Sequence, residues 1–234
     1  MYRIALCLFV LATEVSLAQG PEALPDSIKG GEMIFIAMGD SSYHIDKYEV
    51  TNAEYAEFLN ARGNQEEKGV FWIELRSQFA LVEEKDGVFA GIDTFATHPA
   101  VEISWSGARA YCEWAGKRLP NQREWRYACE GDEKFKYPWG NTFEQGYANI
   151  FGNKYDGYVR TSPVGTFPQG ASPFGLMDMA GNVWEWTRAE GDIQFLRGGS
   201  WVNGNTLGQC DKRANTKDAH SYVKGNTLGF RCAR

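Results

Sequence analysis

The sequence predicts an α+β fold, rich in turns and built from loops that pack on one another. Three observations carry that expectation. Glycine is frequent, at 26 of 234 residues, and it is the residue that tight turns use where φ is positive. No long apolar helix with a 3.6-residue period runs through the body of the chain. Hydrophobic residues form 43% of the sequence, with 8 Trp, 11 Tyr and 14 Phe, enough for one sizeable core and one domain. The formal charge of -6 argues against a nucleic-acid partner or an anionic membrane surface.

The first segment reads as an address rather than as structure. Arg3 precedes an apolar run over residues 4–12, too short to cross a bilayer. Ser16-Leu17-Ala18 then offers small residues where a signal peptidase reads. We expect a signal peptide over 1–18, a polar linker over 19–30 and one domain over 31–234, with the mature protein secreted or periplasmic. The competing reading of the apolar run is a buried first strand. Cys7 has no small-residue motif leading into it, which argues against a lipid anchor, and no later stretch is long enough for a membrane span. Without Cys7 the chain holds Cys112, Cys129, Cys210 and Cys232, an even number suited to an oxidising compartment. Three pairings are open, and four separate thiols are the alternative.

Within the domain, residues 32–38 read as a strand ending at Gly39-Asp40, with 44–50 as its partner. Thr51 and Glu54 have capping-box spacing, so a helix starts there, buries Tyr55, Phe58 and Leu59, and stops at Gly63. A second helix begins near Ser104 or Ser106, turns Ala108, Tyr111, Cys112 and Ala115 inward, and stops at Gly116. Asn121 and Glu124 cap a third, which carries Trp125, Ala128 and Cys129 on one face and closes at Gly131. From 137 to 175 ordered loops are expected. Two tail strands, 194–201 and 228–234, would bring the ends of the domain together if they pair with the early strands.

Several motifs follow one another in a recognisable order. Ile45-Asp46-Lys47-Tyr48-Glu49-Val50-Thr51-Asn52 comes first, then His98-Pro99-Ala100-Val101-Glu102-Ile103-Ser104-Trp105 and Ala110-Tyr111-Cys112-Glu113-Trp114-Ala115-Gly116-Lys117-Arg118-Leu119-Pro120. Tyr137-Pro138-Trp139-Gly140-Asn141, Gly175-Leu176-Met177-Asp178-Met179-Ala180-Gly181-Asn182-Val183-Trp184-Glu185-Trp186, Leu196-Arg197-Gly198-Gly199-Ser200-Trp201 and Gly229-Phe230-Arg231 complete the series. Over residues 31–234 the chain resembles the formylglycine-generating enzyme (sulfatase-modifying factor) family. The resemblance implies a C-type-lectin-like α+β fold with little regular secondary structure. It also implies pairing of Cys112 with Cys232 and of Cys129 with Cys210.

In active members of that family two cysteines hold the copper that helps oxygen convert a sulfatase cysteine to formylglycine. Cu(I) prefers soft sulfur ligands. The matching positions here are Asn203 and Gly208, so copper is not expected. Calcium is. By resemblance, one site takes Asn149, Ile150, Asp156 and Tyr158, with Ile150 and Tyr158 giving carbonyls. The other takes Asp178 and Glu185 with the carbonyls of Ala180, Gly181 and Val183. Hard oxygens in loops suit this ion, although Asn, Asp and Gly also favour plain turns. His44, His98 and His220 are too scattered for an iron or zinc site.

These readings imply a binding or accessory module whose cleft, lined by Trp184, Ser200, Trp201 and Asn203, takes a peptide, protein or glycan. The alternatives are an oxidoreductase of the same family with another substrate, and a formylglycine-generating oxidase with an atypical site.

Overall fold

A computed structural model describes residues 29–151, 156–188, 191, 193–215 and 225–234. The expected signal peptide, most of the linker, Cys7 and His220 lie outside the described residues.

The chain opens with an antiparallel hairpin, β1 (Met33–Met38) and β2 (Ser41–Asp46), turning at Gly39-Asp40. The partner strand thus begins and ends earlier than the sequence suggests. Asp46 already faces inward there, its Oδ2 accepting from the Cys232 amide at 2.9 Å and its Oδ1 from Lys117 Nζ at 2.7 Å.

Helix α1 (Asn52–Arg62) follows, its capping box closed by Thr51 and Glu54, with Gly63 at φ 72° ending it. Two hairpins come next: β3 (Glu66–Glu67) with β4 (Val70–Phe71), and β5 (Val82–Lys85) with β6 (Val88–Gly91). Helix α2 (Trp105–Trp114) is capped by Ser104, whose Oγ accepts from the Gly107 amide at 3.1 Å. Helix α3 (Gln122–Glu130) starts at the Asn121–Glu124 capping box and ends at Gly131. Gly107 is required where α2 crosses the chain, because a Cβ there would strike the Trp72 carbonyl oxygen.

A loop-rich stretch leads to β7 (Trp184–Trp186), β8 (Phe195–Arg197), β9 (Arg213–Asn215) and β10 (Leu228–Gly229), which form one sheet in the order β10-β7-β8-β9. The tail strands therefore differ from expectation. Residues 195–197 pair with β7 and β9 rather than with the early hairpin, and Gly198 and Gly199, at φ 91° and 74°, turn the chain out of the sheet. The last segment is a regular strand only at β10. Beyond it, Ala233 bridges both Ile45 and Arg118, so the ends of the domain do meet.

An aromatic lattice fills the main core. Tyr55 stacks on Tyr111 at 5.7 Å and Phe58 on Trp72 at 5.0 Å, while Phe230 meets Tyr111 edge-on at 5.4 Å. Such pairs add to the free energy of burying large rings. A second cluster, with Ile36, Tyr43, Trp125 and Met179, lies around α3 and the first hairpin. Disulfides join Cys112 to Cys232 and Cys129 to Cys210, each with its Cα atoms 5.6 Å apart. Among the described residues no helix is long and apolar enough to cross a membrane.

Candidate functional site

The loop from 175 to 183 carries four residues in left-handed backbone: Gly175 and Gly181 at φ 84°, Asp178 at 59° and Asn182 at 55°. Gly181 is obligatory, since a Cβ would run into the Asn149 carbonyl oxygen. That contact lets the two residue sets expected to hold calcium touch. The Asn182 amide donates to Asn149 O at 2.9 Å, and Asn149 Nδ2 donates to Asn182 Oδ1 at 3.2 Å and to Arg160 O at 2.8 Å.

Beneath them lies a buried knot of charge. Glu185 Oε1 and Oε2 accept from Arg231 Nη2 and Nε at 2.7 and 2.8 Å, and Oε2 also accepts from Trp125 Nε1 at 2.7 Å. Arg231 spends its other hydrogens on the Met177, Asp46 and Lys47 carbonyls. Asn182 Nδ2 donates to Glu49 Oε2 at 2.6 Å, and the Gly165 amide to Asp178 Oδ2 at 2.6 Å. Burial, then repulsion from Asp178 and Glu185, pushes the Glu49 carboxyl well above its usual range. Burial likewise lifts Asp178 to about 6, opposed by the Gly165 amide and Arg231. Three buried carboxylates thus face one guanidinium, an imbalance that favours a retained proton or an added cation.

Glu49, only 1% exposed, is missed as a site residue by sequence reasoning, as are its knot partners Asn182 and Arg231. For Glu49 the signal is its place in the motif over 45–52, which reads as a strand and as a mark of the family but not as a site. Among the described residues no three His, Cys, Asp or Glu side chains are placed to hold a metal. A cation here would therefore depend largely on amide and carbonyl oxygens, which suits calcium better than zinc or iron.

The two constellations differ in how well they fit that ion. Asn149 Oδ1 is buried without a hydrogen-bond partner. Asp156 is tied to the same chain reversal, its carboxylate accepting from the Ile150 amide at 3.0 Å and the Tyr158 amide at 2.9 Å. An orphaned acceptor next to such a loop is what a hard cation would satisfy. In the other set Glu185 already serves Arg231 and Trp125, leaving Asp178 and the carbonyls of Ala180, Gly181 and Val183.

At the positions matching the family cysteines, the turn after Gly199 is closed by hydrogen bonds. Asn203 Oδ1 accepts from the Ser200 amide and from Ser200 Oγ, both at 2.9 Å. A Cβ on Gly208 would make only ordinary contact, 3.6 Å from Ala180 Cβ. All four cysteines among the described residues are disulfide-bonded and fully buried. Of the expected cleft, Trp184 belongs to the main core at 8% exposure and Ser200 is fully buried. Trp201 and Asn203 are half-buried, and Trp201 Nε1 donates to Asn226 O at 3.1 Å. Val202 and Leu207 beside them are exposed.

Comparison with known proteins bears on the family and the fold. Residues 27–234 match the Sulfatase-modifying factor enzyme 1-like domain. The chain is 35% identical to the bovine (Bos taurus) "Inactive C-alpha-formylglycine-generating enzyme 2", covering 82% of this chain and 76% of that one. It is 30% identical to the formylglycine-generating enzyme of Streptomyces coelicolor, over 92% of each. Among solved structures, PvdO from Pseudomonas aeruginosa superposes with a TM-score of 0.61 at 26% identity, covering 83% of this chain and 80% of that one.

Proposed function

This chain belongs to the Sulfatase-modifying factor enzyme 1-like family, and we propose that it is an exported, calcium-stabilised binding or accessory module on a C-type-lectin-like scaffold. In this reading it does not make formylglycine by the copper–thiolate route. One observation carries it: Asn203 and Gly208 stand at the cysteine positions, while Cys210, the nearest thiol in sequence, is bonded to Cys129. An amide and a hydrogen atom cannot replace two thiolates for Cu(I). The similarity to a relative named as inactive supports the same reading.

Calcium is held first by Asn149 and Asp156 with the Ile150 and Tyr158 carbonyls, because Asn149 Oδ1 is otherwise orphaned. The ligand is a peptide, protein or glycan that meets Trp201 and its exposed neighbours Val202 and Leu207. Export follows the expected cleavage after Ala18, which suits a domain with two disulfides.

The test is a Cu(I) titration against a chromogenic chelator on the mature protein, with a thiol count after denaturation without reductant. We expect neither stoichiometric copper binding nor free thiol. Tight, thiol-dependent binding of one Cu(I) per chain would restore the oxidase reading. Oxygen uptake on adding a cysteine-containing sulfatase peptide would do the same.

A further inference from the structure

A groove of about 600 Å³ opens between the β3–β4 hairpin, the loop that follows it, and the β5–β6 hairpin. Its volume is in the range of ordinary ligand sites, and none of the family's site positions lines it. We propose that this groove docks a basic polypeptide segment, one that offers Lys or Arg beside a large apolar side chain. Trp201, Val202 and Leu207 do not line it, so the inference adds a second binding surface to the module proposed above. A copper-loaded oxidase could still hold such a segment, so the two readings fail separately.

The floor is apolar, with Ile73 and Val82 buried and Phe71 left 43% exposed. A large aromatic surface open to water at the edge of a groove is a candidate contact surface. The rim is acidic, from Glu74, Glu83 and Glu84, with Arg76 the opposing charge among the lining residues. Between residues 64 and 93 the chain carries seven carboxylates against three basic side chains. That stretch of 30 residues therefore holds four of the six excess negative charges of the whole sequence. Glu83 pairs with Lys85 at 2.7 Å, but both side chains are well exposed. Such a pair contributes little in water, and an incoming cation can exchange for it.

The walls are fastened before any partner arrives. Asn60 Nδ2 donates to the Phe89 carbonyl at 2.7 Å and its Oδ1 accepts from the Phe89 amide at 2.8 Å, pinning β6 to α1. Asn64 makes the same pair of bonds with Ile73, at 3.1 and 3.2 Å. A groove with fixed walls loses little entropy when it is filled. An acidic rim around an apolar floor selects a partner of opposite charge and speeds its approach.

A random decapeptide library displayed against the immobilised mature protein tests this. Enriched sequences should carry Lys or Arg within three positions of Phe, Leu, Ile or Trp. A labelled peptide made from the enriched consensus should lose at least tenfold in affinity with Glu84→Lys and with Phe71→Ala. Both positions are exposed, and an unchanged melting temperature would show that the variants fold. Raising salt from roughly 50 to 300 mM should weaken binding further, as screening demands. Neutral or acidic consensus sequences, no enrichment, or affinities unchanged by both variants would overturn the proposal. So would a Glu84-dependent dimer in sedimentation, which would make a second copy of this chain the occupant.

Discussion

Tyr55, Phe58, Tyr111 and Phe230 fill their part of the interior with rings, whereas Glu49, Asp178, Asn182, Glu185 and Arg231 fill theirs with charge and amides. The ring lattice is non-directional: each contact adds a little, and a neighbour can shift to cover a loss. The polar knot has no such tolerance, because every group removed leaves its partner buried and unpaired. The packing of α1 on α2 is thus secured by many small terms, and the loops around 149 and 182 by a few large ones.

Arg231→Met attacks that difference where it is greatest. It strands Glu185 and takes the guanidinium from Glu49 and Asp178, at a cost of about 4 kcal/mol. Urea denaturation or the yield of folded protein would measure it. A loss under about 1 kcal/mol would mean that the knot is held by packing after all. Calcium removal should come next. Chelation should lower stability by about 2 kcal/mol, a fall of roughly 6 °C in melting temperature. The fall should shrink in Asn149→Ala, and an equal fall in that variant would move the ion to the Asp178 set. Smallest is Thr51→Ala on the apolar side, at about 1 kcal/mol for the lost cap, read as an equal shift in the unfolding free energy.

The same contrast governs what can be read from the sequence. The caps of α1 and α3 are legible because donor and acceptor lie three residues apart, and the buried faces of the helices follow from period alone. In the knot, Asn182 meets Glu49 across 133 positions and Arg231 meets Glu185 across 46. No local pattern encodes such pairs, so the Glu185–Arg231 pair is not legible from spacing and Glu49 does not read as a site residue at all. The β5–β6 hairpin is a different kind of miss. Asp86-Gly87, at φ 51° and 79°, is a tight-turn signature. The polar run Glu83-Glu84-Lys85 hides the alternation that would mark its strand.

Stacking on a ligand is not needed to explain Trp184, whose main chain belongs to β7 and whose ring packs in the core. The expected cleft residues left partly accessible are Trp201 and Asn203, beyond the Gly198-Gly199 turn. Their exposure comes from the chain leaving the sheet there, which the two positive-φ glycines dictate.

The segment from Leu228 to Ala233 has one more consequence. It lies against β7, bridges Ile45 and Arg118, and carries Phe230 and Arg231 into the interior. A ribosome makes it after every other element described, so the interior shared by α1, α2 and the first hairpin is completed last. Closure then joins distant parts of the chain at once, and folding by such long-range contacts is slow.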